Sequence, residues 1–500
     1  MVIKQVEEHT LNVLRNSTKD LKRQLETMLP ALEEFHKIMS SLESADNKDS
    51  LVGIISKVED LLFGSYFILN ELMSYLKMSI GTNIVYEKRY FLQCINECIC
   101  EAYNFLKGKD CDGVWDNIIS TVRTLDNPIL NVYADNIESE LQKLEENFLD
   151  IKLRNTTAHY DKPIKMYETI STITSEDTFC KAVSQYMLIH MRITHFTDII
   201  FALLFQLLPT KSAVYCQTGA SHNQTWCIKT LLETRLAEKF AGDSRMEIVS
   251  KESLERVSKS IDTLYGTHKS VDAAYNYFKE KGIAFPISLR VTHQLCLIRM
   301  IIDFMRCDII CAMRAYMNSE TNLERAIHLR KIYLTEVSAL KHLYGYTEKS
   351  RRNSLWTQLM IVNTNYNNDK TQLILKELDA FESHLDTIKR NLFIHFKEKE
   401  NLNIKKRYEA YNQLNHINEI KEALALLALC KEMEHYTSEM LHQISIAENK
   451  RHQEQKEKYH EMFNRLRDMI PSSKATDDAN SQVKSMLNDA ENKLMALFEL

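Results

Sequence analysis

The sequence predicts an all-α fold in which one helical bundle is written twice in tandem and the two copies pack as a pseudo-dimer. Three observations carry this expectation. Ten glycines and six prolines make up about 3% of 500 residues, where roughly 12% is usual; tight hairpins need those residues at their turns, so long helices with few loops are expected. Apolar residues are 44% of the chain, enough to give each half its own core. A spaced set of residues also recurs in one order, at an offset close to 236 positions. Thr82-Asn83 answers Thr321-Asn322, Leu106-Lys107-Gly108 answers Leu343-Tyr344-Gly345, and Trp115 answers Trp356. The most specific repeat is Arg154-Asn155-Thr156-Thr157-Ala158-His159, written again as Arg390-Asn391-Leu392-Phe393-Ile394-His395.

In chain order, residues 1 to about 45 read as one or two amphipathic helices with Val6, Leu11, Leu14 and Leu21 on the apolar repeat. A polar break over 44–50 precedes a core helix over 51–76 and another over 85–106, which Gly108 closes as a C-cap. A helix over 113–125 carries Trp115 and is interrupted by Pro128. One helix from about 129 to 158 delivers the first motif, with Pro163 as its far bound, and a long apolar helix over 176–208 ends at Pro209. Residues 210–225 lose periodicity and gain small polar residues, which sets the domain boundary. The predicted units are 1–209, 226–447 and a charged helical tail, 448–500. The second unit repeats the plan with helices near 226–242, 251–282, 289–317, 322–344, a Trp356 helix, one over 370–392 that delivers the second motif, and one over 412–447. In the tail, Pro471-Ser472-Ser473 breaks the chain, and Val483, Leu487, Ala490, Leu494 and Leu497 form one stripe. That stripe reads as a capping helix in preference to a docking surface.

A net charge of −5 excludes a uniformly basic nucleic-acid binder and leaves room for a local basic groove. Eleven cysteines include Cys94, Cys98, Cys100, Cys307 and Cys311, without a Cys-x-x-Cys pair; cysteines at this helical spacing are expected as small core residues. The odd count and the absence of a signal peptide point to a reducing cytoplasm. The longest apolar runs, 199–208 and 423–430, fall far short of the ~20 residues that cross a bilayer, so no membrane partner is expected.

The repeated hexapeptide carries the chemistry. On a helix, Asn155 and His159 share a face, as do Asn391 and His395, and Arg154 and Arg390 can reach the same patch. Imidazole exchanges protons near neutral pH, and a guanidinium fork pairs with phosphate oxygens and stabilises charge growing on them. RNA supplies its own nucleophile in the 2′-hydroxyl. Cleavage then needs one base and one acid, which two copies provide if His159 and His395 face one phosphate. No clustered His-Asp-Glu set or Cys-His spacing stands out in the sequence, so no metal and no cofactor is expected.

Around the motifs, Lys162, Lys165, Lys397, Lys399, Lys405, Lys406 and Arg407 are candidates to follow an RNA backbone; Lys349, Arg351 and Arg352 form a further basic cluster. Asp150 and Asp386, four residues before each motif arginine, are candidates to pair with it, an alternative to its catalytic role that is also compatible with their orienting it. Tyr160 and Phe396 could stack on bases, with core packing the favoured reading. Tyr167-Glu168 and Tyr408-Glu409 are read as packing and surface positions.

An Arg-Asn-x-x-x-His motif late in an all-helical unit resembles the HEPN superfamily, at Arg154, Asn155 and His159 and again at Arg390, Asn391 and His395. The resemblance implies a metal-independent endoribonuclease whose site forms between two HEPN units, here within one chain. It further implies a setting in prokaryotic antiphage defence or a toxin-antitoxin system, RNA as substrate, an antitoxin or regulatory protein as partner, and the option of homo-oligomers. Each half is larger than a minimal HEPN bundle. The alternatives left open are a helical sensor or binding protein that clamps RNA or a phosphorylated ligand without cutting it, and a structural interaction protein.

Overall fold

The computed structural model describes residues 2–42, 51–108, 113–124, 126–157, 160, 162–206, 249–282, 286–345, 354–357, 369–383, 393, 397–398, 401–402, 404–470 and 477–497. Among these residues the architecture is all-helical apart from one two-residue ladder. Helices α1 (Val2–Leu42), α2 (Leu51–Ile80) and α3 (Val85–Lys107) open the first half. They are followed by α4 (Val114–Arg123), α5 (Pro128–Phe148), α6 (Ile151–Thr157), α7 (Pro163–Ser171) and α8 (Asp177–Gln206). The second half begins with α9 (Lys251–Glu280), α10 (Ile287–Asn318) and α11 (Asn322–Leu343), and continues with α12 (Asp369–Ser383). Strands β1 (Lys397–Glu398) and β2 (Asn401–Leu402) pair antiparallel, Lys397 opposite Leu402. Helices α13 (Ile404–Asn412), α14 (His416–Asp468) and α15 (Asp477–Leu497) complete the chain.

Local chemistry sets the helix ends. Asn127 accepts from the backbone N–H groups of Ile129 and Leu130, with Pro128 in the first helical position, where its missing N–H costs nothing. Pro163 opens α7 in the same way. Gly108 closes α3 at φ 75°, in the region that L side chains avoid, and its N–H returns to the Asn104 carbonyl. Thr321 and Glu324 form a capping box on α11. The expected helix over 129–158 is instead two. The Asp150 carboxylate accepts from the Leu153 N–H at 2.8 Å and starts α6, so the chain breaks at Leu149 and Asp150.

Helices α2 and α10 are the cores of their halves. Phe63, Phe67 and Tyr75 of α2 are fully buried, and every residue of α10 from Ile298 to Met313 is buried. Gly64 lets α2 lie against α3, since a Cβ there would meet the Phe105 ring at 2.3 Å. Helices α1, α3, α4 and α8 pack on α2; α9, α11 and α14 pack on α10. Cys94, Cys98, Cys100, Cys307 and Cys311 are all buried and unbridged, as small core residues. Trp115 packs edge-on against Phe196 of α8, and Trp356 lies against Tyr436 of α14. Contacts cross between the halves as well: α3 and α7 touch α10, and α11 and α13 touch α2. The buried apolar residues form one continuous cluster through both halves.

The composition change near residue 447 falls inside α14, which stays helical from His416 to Asp468 while its second part becomes solvent-exposed. α15 folds back on that exposed part, where Arg467 bonds Asn488 at 3.0 Å and both Arg467 and His460 meet the Glu491 carboxylate. Val483 and Ala490 of the expected stripe face solvent. The expected domain boundary at 210–225, the 226–242 helix and the Pro471 break lie outside the described residues. Among those described, no helix is long and apolar enough to cross a membrane.

Candidate functional site

Arg154 and Asn155 of the first motif sit on α6, which α3 supports through Asn96, whose amide donates to the Asp150 carbonyl at 3.0 Å. Arg154 is partly buried. Its Nη2 bonds Glu101 of α3 at 2.5 Å and its Nη1 bonds the Asn155 side-chain oxygen at 3.1 Å. The two ends of the guanidinium fork are therefore fixed by a carboxylate from another helix and by the neighbouring motif residue. This corrects the expected pairing with Asp150, whose carboxylate is spent on the helix N-terminus. Asn155 itself is exposed. Cys100, beside this group, has its thiol pushed up to about 12, chiefly by burial.

His159 lies outside the described residues, as do Arg390, Asn391, His395 and Asp386. Of the second hexapeptide Phe393 is described; it is fully buried and packs edge-on against Tyr333 and Tyr411. Lys162, Lys165 and Lys406 are exposed. Lys397 lies in β1, and Lys405 and Arg407 lie in α13. Lys399, Lys349, Arg351, Arg352 and Phe396 lie outside the described residues.

Tyr160 is a core residue rather than a stacking platform. Its hydroxyl donates to Asp308 of α10, as does that of Tyr86 at 2.9 Å. Burial pushes the Asp308 carboxyl up to about 7, against the two phenol hydrogen bonds that pull it down. On the other side, Glu71 of α2 accepts from Arg330 at 2.6 Å and from Tyr411 at 2.8 Å. Tyr167 stacks on Tyr265 of α9 and donates to Asp262, while Glu168 accepts from Tyr265 and pairs with Lys269. Tyr408 packs edge-on against Phe63. His190 and His328 are core histidines: burial lowers them to about 4 and about 3, and serine hydroxyls (Ser65 and Ser74) lie at 3.1 and 3.2 Å.

The fold also assembles a His-Asp cluster that sequence reading missed: His268 and Asp272 on α9 with His293 on α10. The four-residue step from His268 to Asp272 was visible, but His293 joins them only because α9 and α10 form an antiparallel hairpin. Comparison of the chain with protein-family models, with curated proteins and with solved structures gives no match in any of the three.

Proposed function

We propose that this chain is a HEPN-type, metal-independent endoribonuclease, with one active site shared by two copies of a helical unit packed as a pseudo-dimer. The observation that carries the reading is a crossed pair of ion bridges. Lys77, near the end of α2, pairs with Glu324 at the third position of α11; Arg314, near the end of α10, pairs with Glu87 at the third position of α3, at 2.8 Å. Shifting both residues of the first half by 237 positions turns one bridge into the other, which is what a twofold relation between copies produces. The Trp115–Phe196 and Trp356–Tyr436 contacts repeat at nearly the same offset.

A twofold relation gives each motif imidazole a counterpart across the axis. One histidine of the pair His159 and His395 takes the proton of an RNA 2′-hydroxyl, whose oxygen attacks the adjacent phosphorus. The other histidine protonates the leaving 5′-oxygen. Arg154 and Arg390 stabilise the charge on the phosphoryl oxygens, and the fixed plane of Arg154 suits that role. The ends produced are a 2′,3′-cyclic phosphate and a 5′-hydroxyl. The setting we propose is cytoplasmic, in prokaryotic antiphage defence or a toxin-antitoxin pair, with a regulatory protein restraining the nuclease.

Incubating purified protein with labelled RNA in EDTA tests this. Cleavage with cyclic-phosphate ends, absent when the cut nucleotide is 2′-deoxy, is the expected result. Binding without cleavage would favour the clamp, and neither would favour a structural protein.

A further inference from the structure

The α9–α10 hairpin carries a cluster with no part in the proposed nuclease. His268 Nδ1 lies 3.2 Å from one Asp272 carboxylate oxygen, and His293 Nε2 lies 3.5 Å from the other. The three ligand atoms all lie within 4.8 Å of one another. Bond lengths of roughly 2.0–2.2 Å from zinc to imidazole nitrogen and carboxylate oxygen put neighbouring ligands of a tetrahedron about 3.3–3.6 Å apart. The 3.2 Å separation of His268 from Asp272 is close to that, and His293 approaches the second oxygen of the same carboxylate.

We propose that His268, Asp272 and His293 form a binding site for a divalent transition-metal ion, with zinc as the natural fit, clipping α9 to α10. His268 and Asp272 stand one helical turn apart on one face. Two imidazoles and one carboxylate are a donor set suited to a borderline-soft cation, and three protein ligands leave a fourth position for water.

The burial of His268 points the same way. The residue is 5% exposed, and its Nδ1 has no aligned hydrogen bond although Asp272 is close. A buried nitrogen in that state is costly unless something accepts its lone pair. The nearby positive charge is already engaged: Lys269 pairs with Glu168 at 3.4 Å and lies over the Tyr265 ring.

The test uses the full chain, stripped with chelator and titrated with Zn²⁺ by calorimetry and with Co²⁺ by visible absorption. The wild type is expected to bind one ion per chain, to show tetrahedral cobalt bands without a thiolate charge-transfer band, and to melt higher with Zn²⁺. H293A and D272N change half-exposed positions and are expected to fold yet lose the ion, the cobalt bands and the zinc-dependent rise in melting temperature. A wild type that binds no ion would overturn the proposal. So would variants that bind as the wild type does, or a thiolate band that places the metal on cysteines.

Discussion

Tyr160, the residue after the first motif histidine, donates its phenol hydroxyl to Asp308 in the middle of α10. The end of the motif segment in one half is thus tied to the core helix of the other, through a carboxyl that burial raises to about 7.

That carboxyl sets a pH dependence. Unfolded, an aspartate titrates near 3.9; folded, Asp308 keeps its proton up to about 7. The native state therefore binds more protons between these values, and the contribution of this group to stability is complete below about pH 4 and declines as pH rises toward 7. Glu168 and Glu320 are held low and act in the opposite direction, so the comparison must be with D308N. Urea unfolding from pH 4 to 8 should show the wild type losing on the order of 1–4 kcal/mol relative to D308N, then running parallel to it.

The crossed bridges differ in burial, and that predicts an asymmetry. Lys77 and Glu324 are both almost fully buried, whereas Arg314 is 22% exposed. E324Q leaves a buried ammonium without its carboxylate and should cost about 3–5 kcal/mol. E87Q should cost about 1–3 kcal/mol, since water can reach Arg314. The double variant K77M/E324Q should recover most of the E324Q loss. Denaturant midpoints with an unchanged m-value provide the check.

Arg154 depends on two acids in different ways. D150A removes the cap of α6 and should cost about 1 kcal/mol of stability. E101Q keeps the shape but not the charge that fixes the guanidinium, and should lower cleavage about tenfold, equivalent to ~1.4 kcal/mol of barrier. Melting curves and single-turnover RNA cleavage separate the two. If E101Q cleaves at the wild-type rate, Glu101 does not position Arg154.

The helical class was legible because sparse glycine and proline leave few places to turn, and Gly108, Pro128 and Pro163 mark ends that the structure retains. The buried cysteines were legible from their helical spacing. The break at Leu149 and Asp150 was not, since apolar periodicity runs through it and an aspartate inside a helix looks like one capping the next. The Arg154 partner was also hidden. A carboxylate four residues away is the local guess, while Glu101 arrives 53 residues earlier in the chain through the packing of α3 on α6. The buried charges linking the halves, such as Glu71 with Arg330, carry no sequence signal, because each alone looks like a surface residue.

Whether the two motifs serve one site is decided by the cleavage rates of H159A, H395A and the double variant. A shared site needs both imidazoles in every turnover. Each single variant should then lose roughly 10²–10⁴-fold, and the double variant should lose little more than either. Two single variants that each keep about half the wild-type rate, with only the double variant inactive, would mean two independent sites and would contradict the account.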